Sequence, residues 1–574
     1  MPTDRSLGVA LALAGMLGAT ACGRGPATVT ISVVGTNDLH GGVLARNGQG
    51  GLPLFGGYLA NLRAARARDG GAVVLLDAGD MFQGTLESNL TEGAVVVAAY
   101  NGLGYDAAAI GNHDFDYGPE GDESTPTDSG QDPRGALKAR AAEARFPFLA
   151  ANILDTATQR PVDWPGVRPS ALLEVDGVRI GLVGLTTRET LRTTISMNTG
   201  GLAIAPLTQT LATEAAMLRQ AGASVVIGVA HAGGSCTAFD APGDLSSCGQ
   251  QEEIFEVARG LPSGAVDVIV AGHRHQRVAH EVAGVAIIES GSGGRAFGRV
   301  DLTVDRATGR VLGHRVFPPE DICARQDAQG GCVDEGTAAA IVRQYEGRPV
   351  EPQAAIEAIL APAVQAAQAR KETALNVRVD APIRRRQDRE SPLGDLMVEM
   401  MVKELGPADV AILNSGGLRA DVPAGPLTYG RLYEVFPFDN RVARLGVTGD
   451  ELRRVVESNL TRSGSRLLMA GVRATAACLG PALEVRLQRD NGTPVKPTEQ
   501  LQVVTLDFLA TGGDGFFDAI EPLKILGSVS DGPIFRDALA LSLMNGGGML
   551  RAPSPRSGGL VFPGLRPVTC ESAQ

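Results

Sequence analysis

The sequence lacks the basic excess that is typical of nucleic-acid-binding proteins. Its 574 residues include 52 lysines and arginines but 64 aspartates and glutamates, which gives a formal net charge of −12 at pH 7. Proteins that bind nucleic-acid polymers normally carry a basic surface, because phosphate contacts supply much of their affinity. The acidic balance therefore argues against a nucleic-acid polymer as a partner.

Histidine and aromatic residues are also scarce. The chain has seven histidines, and none of them lies beyond His314. Any histidine-dependent chemistry must therefore belong to the first half of the chain. Aromatic residues make up 4% of the sequence, so by composition alone most phenylalanines are expected in the core.

The cysteine pattern lacks any Cys-x-x-Cys motif, which makes a cysteine zinc site the weaker interpretation. Apart from Cys22 there are six cysteines, and an even number suits an oxidising compartment. Four of them form two close pairs in the sequence, and the remaining two are left for each other. The expected disulfides are Cys236–Cys248, Cys323–Cys332 and Cys478–Cys570.

The apolar stretch near the N-terminus, from Leu7 to Leu17, is too short to span a bilayer. With Arg5 before it and Ala19-Thr-Ala-Cys22 after it, the stretch is typical of an export signal. Small residues before a cysteine resemble a bacterial lipoprotein signal, while Ala19-x-Ala21 also suits ordinary signal peptidase. We therefore expect residues 1–22 to be a signal peptide. The protein would then reach the bacterial cell envelope, either lipid-anchored at Cys22 or freely secreted.

The length and the hydrophobic pattern predict two α/β domains. From Thr28 to about Val316, runs rich in valine, isoleucine and leucine alternate with helical patterns, which indicates a layered domain with buried strands. Apolar spacing between Pro352 and Glu372 predicts an amphipathic connecting helix. The predicted divisions are 27–335 for the first domain, 336–374 for the connecting region and 375–574 for the second domain.

One segment interrupts the first domain. Residues 118–135 are rich in Pro, Gly, Asp, Ser and Thr and almost free of apolar residues. This composition predicts a solvated surface loop. The segment follows the turn that contains His113, so it is a candidate flap, but a tolerated insertion is the favoured interpretation.

Five apolar runs of the first domain end in turns that carry metal-binding residue types. The run from Val266 to His275 is the clearest, because it ends in Gly-His-Arg-His. Sites in α/β sheets lie beyond the carboxyl ends of the strands, so these turns should gather at one place. For a lone histidine, a surface or capping role would be the favoured interpretation. Five of the seven histidines, however, lie at such ends, which predicts a metal site.

The candidate ligands are imidazoles, carboxylates and one amide, which suit divalent ions such as Zn, Mn or Fe. A carboxylate such as Asp80 can bridge two ions. Two pairs of ligands lie two residues apart, and on an extended backbone that spacing directs both side chains to the same side. The candidate ligands are Asp38, His40, Asp80, Asn112, His231, His273 and His275.

These motifs resemble those of the calcineurin-like metallophosphoesterases, in their 5'-nucleotidase branch. The resemblance covers nearly the whole mature chain. It implies an N-terminal four-layer αββα domain, a connecting helix and a C-terminal α/β substrate-binding domain. The motifs that carry it are Asn37-Asp-Leu-His-Gly, Asp77-Ala-Gly-Asp, Gly111-Asn-His-Asp-Phe-Asp, His231 and Gly272-His-Arg-His.

The resemblance implies two divalent ions and a metal-bound water that attacks phosphorus in line. His113 would stabilise the transition state or assist the leaving oxygen, and Asp116 would orient His113. Asp114 would support the turn. His275 stands where members of this branch often carry glutamine or asparagine, which leaves the metal preference open. The implied ligand sets are Asp38, His40, Asp80 and His275 for one ion, and Asp80, Asn112, His231 and His273 for the other.

The second domain carries the residues that would select the substrate. Asn414 and Arg419 flank a glycine turn at a strand end, where an amide and a guanidinium can hold phosphate or ribose oxygens. The resemblance implies that two phenylalanines stack on the nucleotide base, which tolerates different bases. It further implies polar contacts to the base or ribose, and a second arginine beside Arg419. These residues are Phe438, Phe508, Asn440, Asp514 and Arg389.

The implied function is an exported phosphohydrolase that removes phosphate from nucleoside 5'-monophosphates. Two alternatives keep the site and change the substrate, to UDP-sugars or to 2',3'-cyclic nucleotides. A third alternative, of another class, is a non-catalytic nucleotide-binding lipoprotein. Such a protein would be expected to lack some metal ligands, whereas all seven candidate ligands are present here. The resemblance also implies a rotation of the second domain that carries bound nucleotide to the metals.

Overall fold

The computed structural model describes residues 27–121, 123–334, 336–386, 391–520, 522–529, 531–553, 560–561 and 566–570. The predicted signal peptide with Cys22, and Arg389, lie outside these residues. Within the described ranges, no helix combines the length and apolar character that crossing a membrane requires.

Two β-sheets form the centre of the N-terminal half, and most of their inner strands run parallel. The first sheet has the strand order Val311–Asp321, Ala296–Asp305, Thr28–Thr36, Ala72–Asp77, Ala107–Ala109, Phe148–Leu149 and Val167–Arg168. The second has the order Arg277–Val282, Val285–Ser290, Val268–Ala271, Val225–His231, Val178–Thr186 and Ser170–Val175.

The two sheets pack face to face, and alternation along each strand divides the side chains between two cores. In the first strand, Ile31 and Val33 lie in the core between the sheets, whereas Val34 lies in the core on the outer face. Gly35 sits at a close approach of the two sheets, because a Cβ there would lie 2.5 Å from Val270 Cγ1. Strands buried on both faces explain the nearly continuous apolar runs in the sequence.

Helices cover both outer faces. Three cover the first sheet, namely Leu52–Asp69, Ala94–Leu103 and Ala354–Lys371, and two cover the second, namely Leu207–Gln220 and Glu253–Gly260. Shorter helical segments are Leu86–Asn89, Gly135–Glu143, Thr190–Thr193 and Ser196–Thr199. The order is helix, sheet, sheet, helix, so the expected four-layer αββα architecture is confirmed.

The helix Ala354–Lys371 belongs to both halves of the molecule. Its residues Ile356, Leu360 and Ala363 pack into the outer core of the first sheet, and Ala367 packs into a core of the C-terminal half. The predicted connecting helix is therefore observed. Because it contributes to two cores, it fixes the path of the chain between them.

The C-terminal half contains a five-stranded sheet with helices on both faces. Its strand order is Leu467–Ala470, Val410–Asn414, Gln500–Leu506, Val442–Thr448 and Lys524–Ile525. Its helices are Pro392–Glu404, Tyr429–Val435, Gly449–Leu460, Asp507–Ala510 and Phe535–Gly546. Two three-stranded sheets complete it, with strands Gly425–Thr428, Ala374–Val379 and Gly548–Leu550, and Ala482–Arg489, Val472–Leu479 and Leu560–Val561.

All three predicted disulfides are present, at Cys236–Cys248, Cys323–Cys332 and Cys478–Cys570. The ring of His280 lies close enough to the first pair to complete a three-ligand set. Both thiols are consumed by the disulfide, however. The weaker interpretation of these cysteines as zinc ligands is therefore set aside.

The prediction of a solvated loop at 118–135 is wrong for the first part of that segment. Ser124 and Thr125 are buried, at 8% and 1% exposure. Asn198 Nδ2 donates to the Ser124 carbonyl at 2.9 Å, and Ser124 Oγ donates to the Asp439 carbonyl in the C-terminal half. Composition misled here, because hydrogen bonds between the two halves bury polar residues that carry no apolar signal.

Candidate active site

The five predicted turns meet at one edge of the two sheets, and five of the ligand positions adopt left-handed backbone. Asp38, His40, Asp80, His273 and His275 have φ between 49° and 81°. The extended geometry assumed for the pairs two residues apart is therefore wrong. Side chains converge because each strand ends in a tight turn, and such strained positions concentrate at functional sites.

Four of the predicted ligands form one tight group, Asp38, His40, Asp80 and His275. Their candidate ligand atoms all lie within 4.8 Å of one another. His40 Nε2 is 2.9 Å from His275 Nε2, and His275 Nε2 is 3.2 Å from Asp38 Oδ1. The structure thus brings together the set that the resemblance implies for one ion.

The other predicted ligands form a second group around Asp80. His231 Nε2 is 3.1 Å from Asp80 Oδ2 and 3.0 Å from Asn112 Oδ1. His273 Nδ1 also lies 3.0 Å from Asn112 Oδ1. The amide of Asn112 is oriented by donation from Nδ2 to the Thr193 carbonyl at 3.2 Å. Asp80 Oδ2 therefore faces both groups, as a bridging carboxylate must.

The candidate ligands fit divalent cations, because their imidazole nitrogens and carboxylate oxygens face one another and can each offer a lone pair to an ion. His40 Nδ1 and His231 Nδ1 each lie 2.8 Å from a backbone carbonyl, which can only accept, so both rings donate through Nδ1. Their Nε2 atoms then turn lone pairs toward the carboxylates. Asp38 Oδ1 is buried and lies 3.2 Å from His275 Nε2. Histidines that donate their second N–H to a carbonyl are typical of metal ligands.

Buried polar residues shape the turns without facing the cleft. The Asp114 carboxylate accepts from the backbone N–H groups of Asp80, Met81 and Gly111 at 2.8–3.1 Å, so it supports the turn as expected. Asn37 Nδ2 donates to Asp38 Oδ2 at 2.7 Å. These bonds fix the ligand-bearing turns before any ion binds.

His113 and Asp116 form a close pair beside the cluster. His113 Nδ1 lies 2.6 Å from Asp116 Oδ2, and Thr194 Oγ1 donates to Asp116 Oδ1 at 2.9 Å. Burial alone would lower the pKa of His113, but the carboxylates of Asp116 and Asp80 raise that pKa above its ordinary value. The Asp116 carboxylate therefore fixes the orientation of the His113 ring.

The cluster opens into a cleft of about 260 Å³ whose other wall belongs to the C-terminal half. The Phe438 ring lies 5.5 Å from the His113 ring, and the Arg419 guanidinium lies 5.7 Å from the Phe438 centroid. Asn414 Nδ2 donates to Asp514 Oδ2 at 2.8 Å. The predicted substrate residues that line the cleft are Asn414, Arg419, Phe438, Asn440, Phe508 and Asp514.

Sequence reasoning missed several residues around the site. Glu189 Oε2 lies 3.3 Å from His273 Nε2, and Gln83 Nε2 donates to the Pro437 carbonyl at 2.8 Å. Glu189 and Thr194 follow the strand Val178–Thr186, which runs parallel to its neighbour and ends at the same edge. The position of this strand end at the same edge of the sheet could have indicated Glu189 and Thr194, although no histidine follows the strand.

The two histidines that the sequence left outside the cluster do lie elsewhere. His280 is buried, with Phe239 6.0 Å from its ring. His314 Nε2 lies 2.9 Å from Glu281 Oε2 on the partly exposed strand Val311–Asp321. Five of the seven histidines are therefore at the site, as the strand-end pattern predicted.

Removal of divalent ions is expected to destabilise the full-length protein, because ions that bind only the folded state stabilise it. Saturation at about 100 times the dissociation constant is worth about 2.7 kcal/mol. Adding Mn²⁺ or Zn²⁺ to chelator-stripped protein should therefore raise the thermal midpoint by several degrees. Asp80→Asn should lose most of that gain, and the exposed control Asp163→Asn should keep it. An undiminished gain in Asp80→Asn would contradict the assignment.

Comparison with known proteins agrees with this geometry. The family model "5'-nucleotidase, C-terminal domain" matches residues 366–521. Protein UshA of Yersinia enterocolitica is 26% identical, over 85% of this chain and 86% of that protein. A 5'-nucleotidase of Vibrio cholerae is 25% identical over the same shares. The 5'-nucleotidase precursor of Thermus thermophilus shares the fold, with a TM-score of 0.70, 23% identity and coverage of 93% and 100% of the two chains.

The chain thus combines an αββα half that carries the candidate metal ligands with a C-terminal half that matches a 5'-nucleotidase domain model. Its residues 366–521 match the 5'-nucleotidase C-terminal domain, and over most of its length the chain is similar to protein UshA and to 5'-nucleotidases, a similarity that supports a hydrolase of the metallophosphoesterase type.

Proposed function

We propose that this protein is an exported, two-metal phosphohydrolase that removes phosphate from nucleoside 5'-monophosphates. The observation that carries the proposal is the shared cleft. One wall holds the ion-binding cluster with His113, and the other holds two phenylalanines, two amides and a half-buried arginine. A phosphate ester with an aromatic, hydrogen-bonding leaving group matches both walls at once.

Each ion has its own ligand set in this proposal. Asp38, His40, Asp80 and His275 hold one, and Asp80, Asn112, His231 and His273 hold the other. When bound, such ions lower the pKa of water and offset negative charge on phosphoryl oxygens. The convergence of both sets on Asp80 Oδ2 supports the pairing.

His113 acts on the reacting phosphate in this proposal. Its Nδ1 is engaged by Asp116, which leaves Nε2 as the ring atom that can donate to a phosphoryl or leaving oxygen. The elevated pKa of His113 favours the protonated, donating ring. Asp116 holds the ring in one orientation and is itself fixed by Thr194.

The C-terminal wall binds the nucleoside. Phe438 and Phe508 stack on the base, while Asn440 and Asp514 bond its polar edges or the ribose. Arg419 and Asn414, with Arg389 from the adjoining segment, bind phosphate or ribose oxygens. The half-buried position of Arg419 in the wall that shares the cleft with Asp80 supports an anionic ligand between them.

Export to the cell envelope is part of the proposal. Its supports are the N-terminal signal pattern with Cys22 and the three disulfides, which are typical of oxidising compartments. Anchoring would then come from a lipid at Cys22.

The function is tested by phosphate release from AMP, UDP-glucose, 2',3'-cyclic AMP and a bis-nucleoside phosphate, with and without chelator. We expect the highest kcat/KM on AMP, and loss of release after metal stripping. A higher kcat/KM on UDP-glucose or the cyclic nucleotide would favour those alternatives. Release that survives metal stripping, or no release from any of the four, would contradict the proposal.

Asp116→Asn is expected to lower kcat on AMP by about 100-fold, since a misoriented His113 loses general acid catalysis. KM should change little, because Asp116 does not hold the nucleoside. Asp128→Asn, on an exposed residue of the neighbouring segment, is the matched control. If kcat of Asp116→Asn stays within twofold of the parent, the role given to the pair is wrong.

Phe438→Leu and Phe508→Leu are each expected to raise KM for AMP by roughly 5- to 100-fold, since base stacking is worth about 1–3 kcal/mol. Hydrolysis of ribose 5-phosphate, which has no base, should be unchanged. Phe317→Leu, in the N-terminal sheet, serves as the control. Equal losses on AMP and ribose 5-phosphate would show that the rings do not read the base.

A further inference from the structure

The loop from Pro437 to Arg441 carries two proposed nucleoside contacts, and its own half of the molecule already fixes its shape. The buried Arg536 donates from Nη1 to the Phe438 carbonyl at 3.1 Å and from Nη2 to Asp439 Oδ1 at 2.5 Å. These bonds stay within the C-terminal half. The loop therefore needs no help from the N-terminal half to keep its conformation.

The N-terminal half nevertheless holds the same loop through Gln83. Gln83 is 3% exposed, and its Nε2 donates to the Pro437 carbonyl at 2.8 Å. Asn89 Nδ2 donates to the same carbonyl at 3.3 Å. The main-chain carbonyl of Gln83 accepts from His40 Nδ1 at 2.8 Å. One residue thus touches a proposed ion ligand through its backbone and the nucleoside-binding loop through its side chain.

A second attachment comes from the segment 118–135, which precedes the helix Gly135–Glu143. Glu123 Oε2 lies 2.6 Å from Arg441 Nη2, and Ser124 Oγ donates to the Asp439 carbonyl. Asn198 Nδ2 donates to the carbonyls of both Ser124 and Phe115 at 2.9 Å. The attachment is therefore tied to the turn that presents His113.

We propose that Gln83 and Glu123 are positioning residues that form an interdomain clasp, completed by Asn89 and Ser124. The clasp holds the Phe438 loop against the metal cluster, in the arrangement where the Phe438 ring is 5.5 Å from His113. Base and phosphate can then be bound together. The proposal rests on the proposed function for its catalytic consequence, but not for its geometry.

Two observations separate positioning from a merely structural role. Arg536 keeps the loop folded from its own side, so losing the clasp should not unfold it. The bond from His40 reaches the backbone of Gln83, so any side chain at that position preserves it. Gln83→Leu therefore removes an interdomain bond and leaves the ion-binding group intact.

In the full-length protein, Gln83→Leu and Glu123→Ala should each lower kcat/KM for AMP by about fivefold, the factor for one net hydrogen bond. Stabilisation by Mn²⁺ should be unchanged. Glu120→Ala is the matched control, because Glu120 is exposed in the same segment and makes no ion pair within the described part of the chain. Glu123→Arg and Arg441→Glu should each impair kcat/KM, and their combination should restore most of it.

Hydrogen exchange without nucleotide tests the clasp independently of catalysis. Backbone amides in residues 436–441 should exchange faster in Gln83→Leu and Glu123→Ala than in the parent or Glu120→Ala. If the parent does not hydrolyse AMP, the proposed function fails while this measurement still decides the clasp. Parental exchange rates in both variants would overturn the proposal. Loss of Mn²⁺ stabilisation in Gln83→Leu would also overturn it, by showing a structural role.

Discussion

The site depends on lone pairs that face one another. His40 Nε2, His275 Nε2 and Asp38 Oδ1 converge within about 3 Å of their neighbours, and both the turn backbone and the Gln83 carbonyl prevent the His40 ring from turning away. Facing lone pairs and carboxylates repel one another unless a metal ion at the centre, or a proton on an imidazole, neutralises them. The layered fold holds this arrangement in place, because parallel strands from two packed sheets bring their carboxyl ends to a single edge.

The same edge explains why the second half of the molecule matters. It contributes no histidine, yet it closes the cleft with Phe438, Phe508 and Arg419. In the proposed function, chemistry and recognition are divided between two cores that the helix Ala354–Lys371 joins. Bonds such as those of Gln83 and Glu123 then set how closely the two walls approach.

Much of this could be predicted from the sequence, because the signals were local. Apolar runs that end in turns with histidine, aspartate or asparagine located the strands and the seven candidate ligands, and cysteine spacing gave the three disulfides. Other features could not be predicted. The left-handed backbone at Asp38 and His273 could not be predicted, because in a sequence glycine is the residue that signals this conformation. Glu189 comes close to His273 only because the fold brings their strand ends together. The burial of Ser124 depends on a partner more than 300 residues away.

The most direct test of the central claim is anomalous X-ray scattering from crystals of the full-length protein loaded with Mn²⁺. The account predicts two peaks in the cluster, both contacting Asp80, one beside His40 and His275 and the other beside Asn112 and His231. A single peak, or none within reach of Asp80, would contradict it.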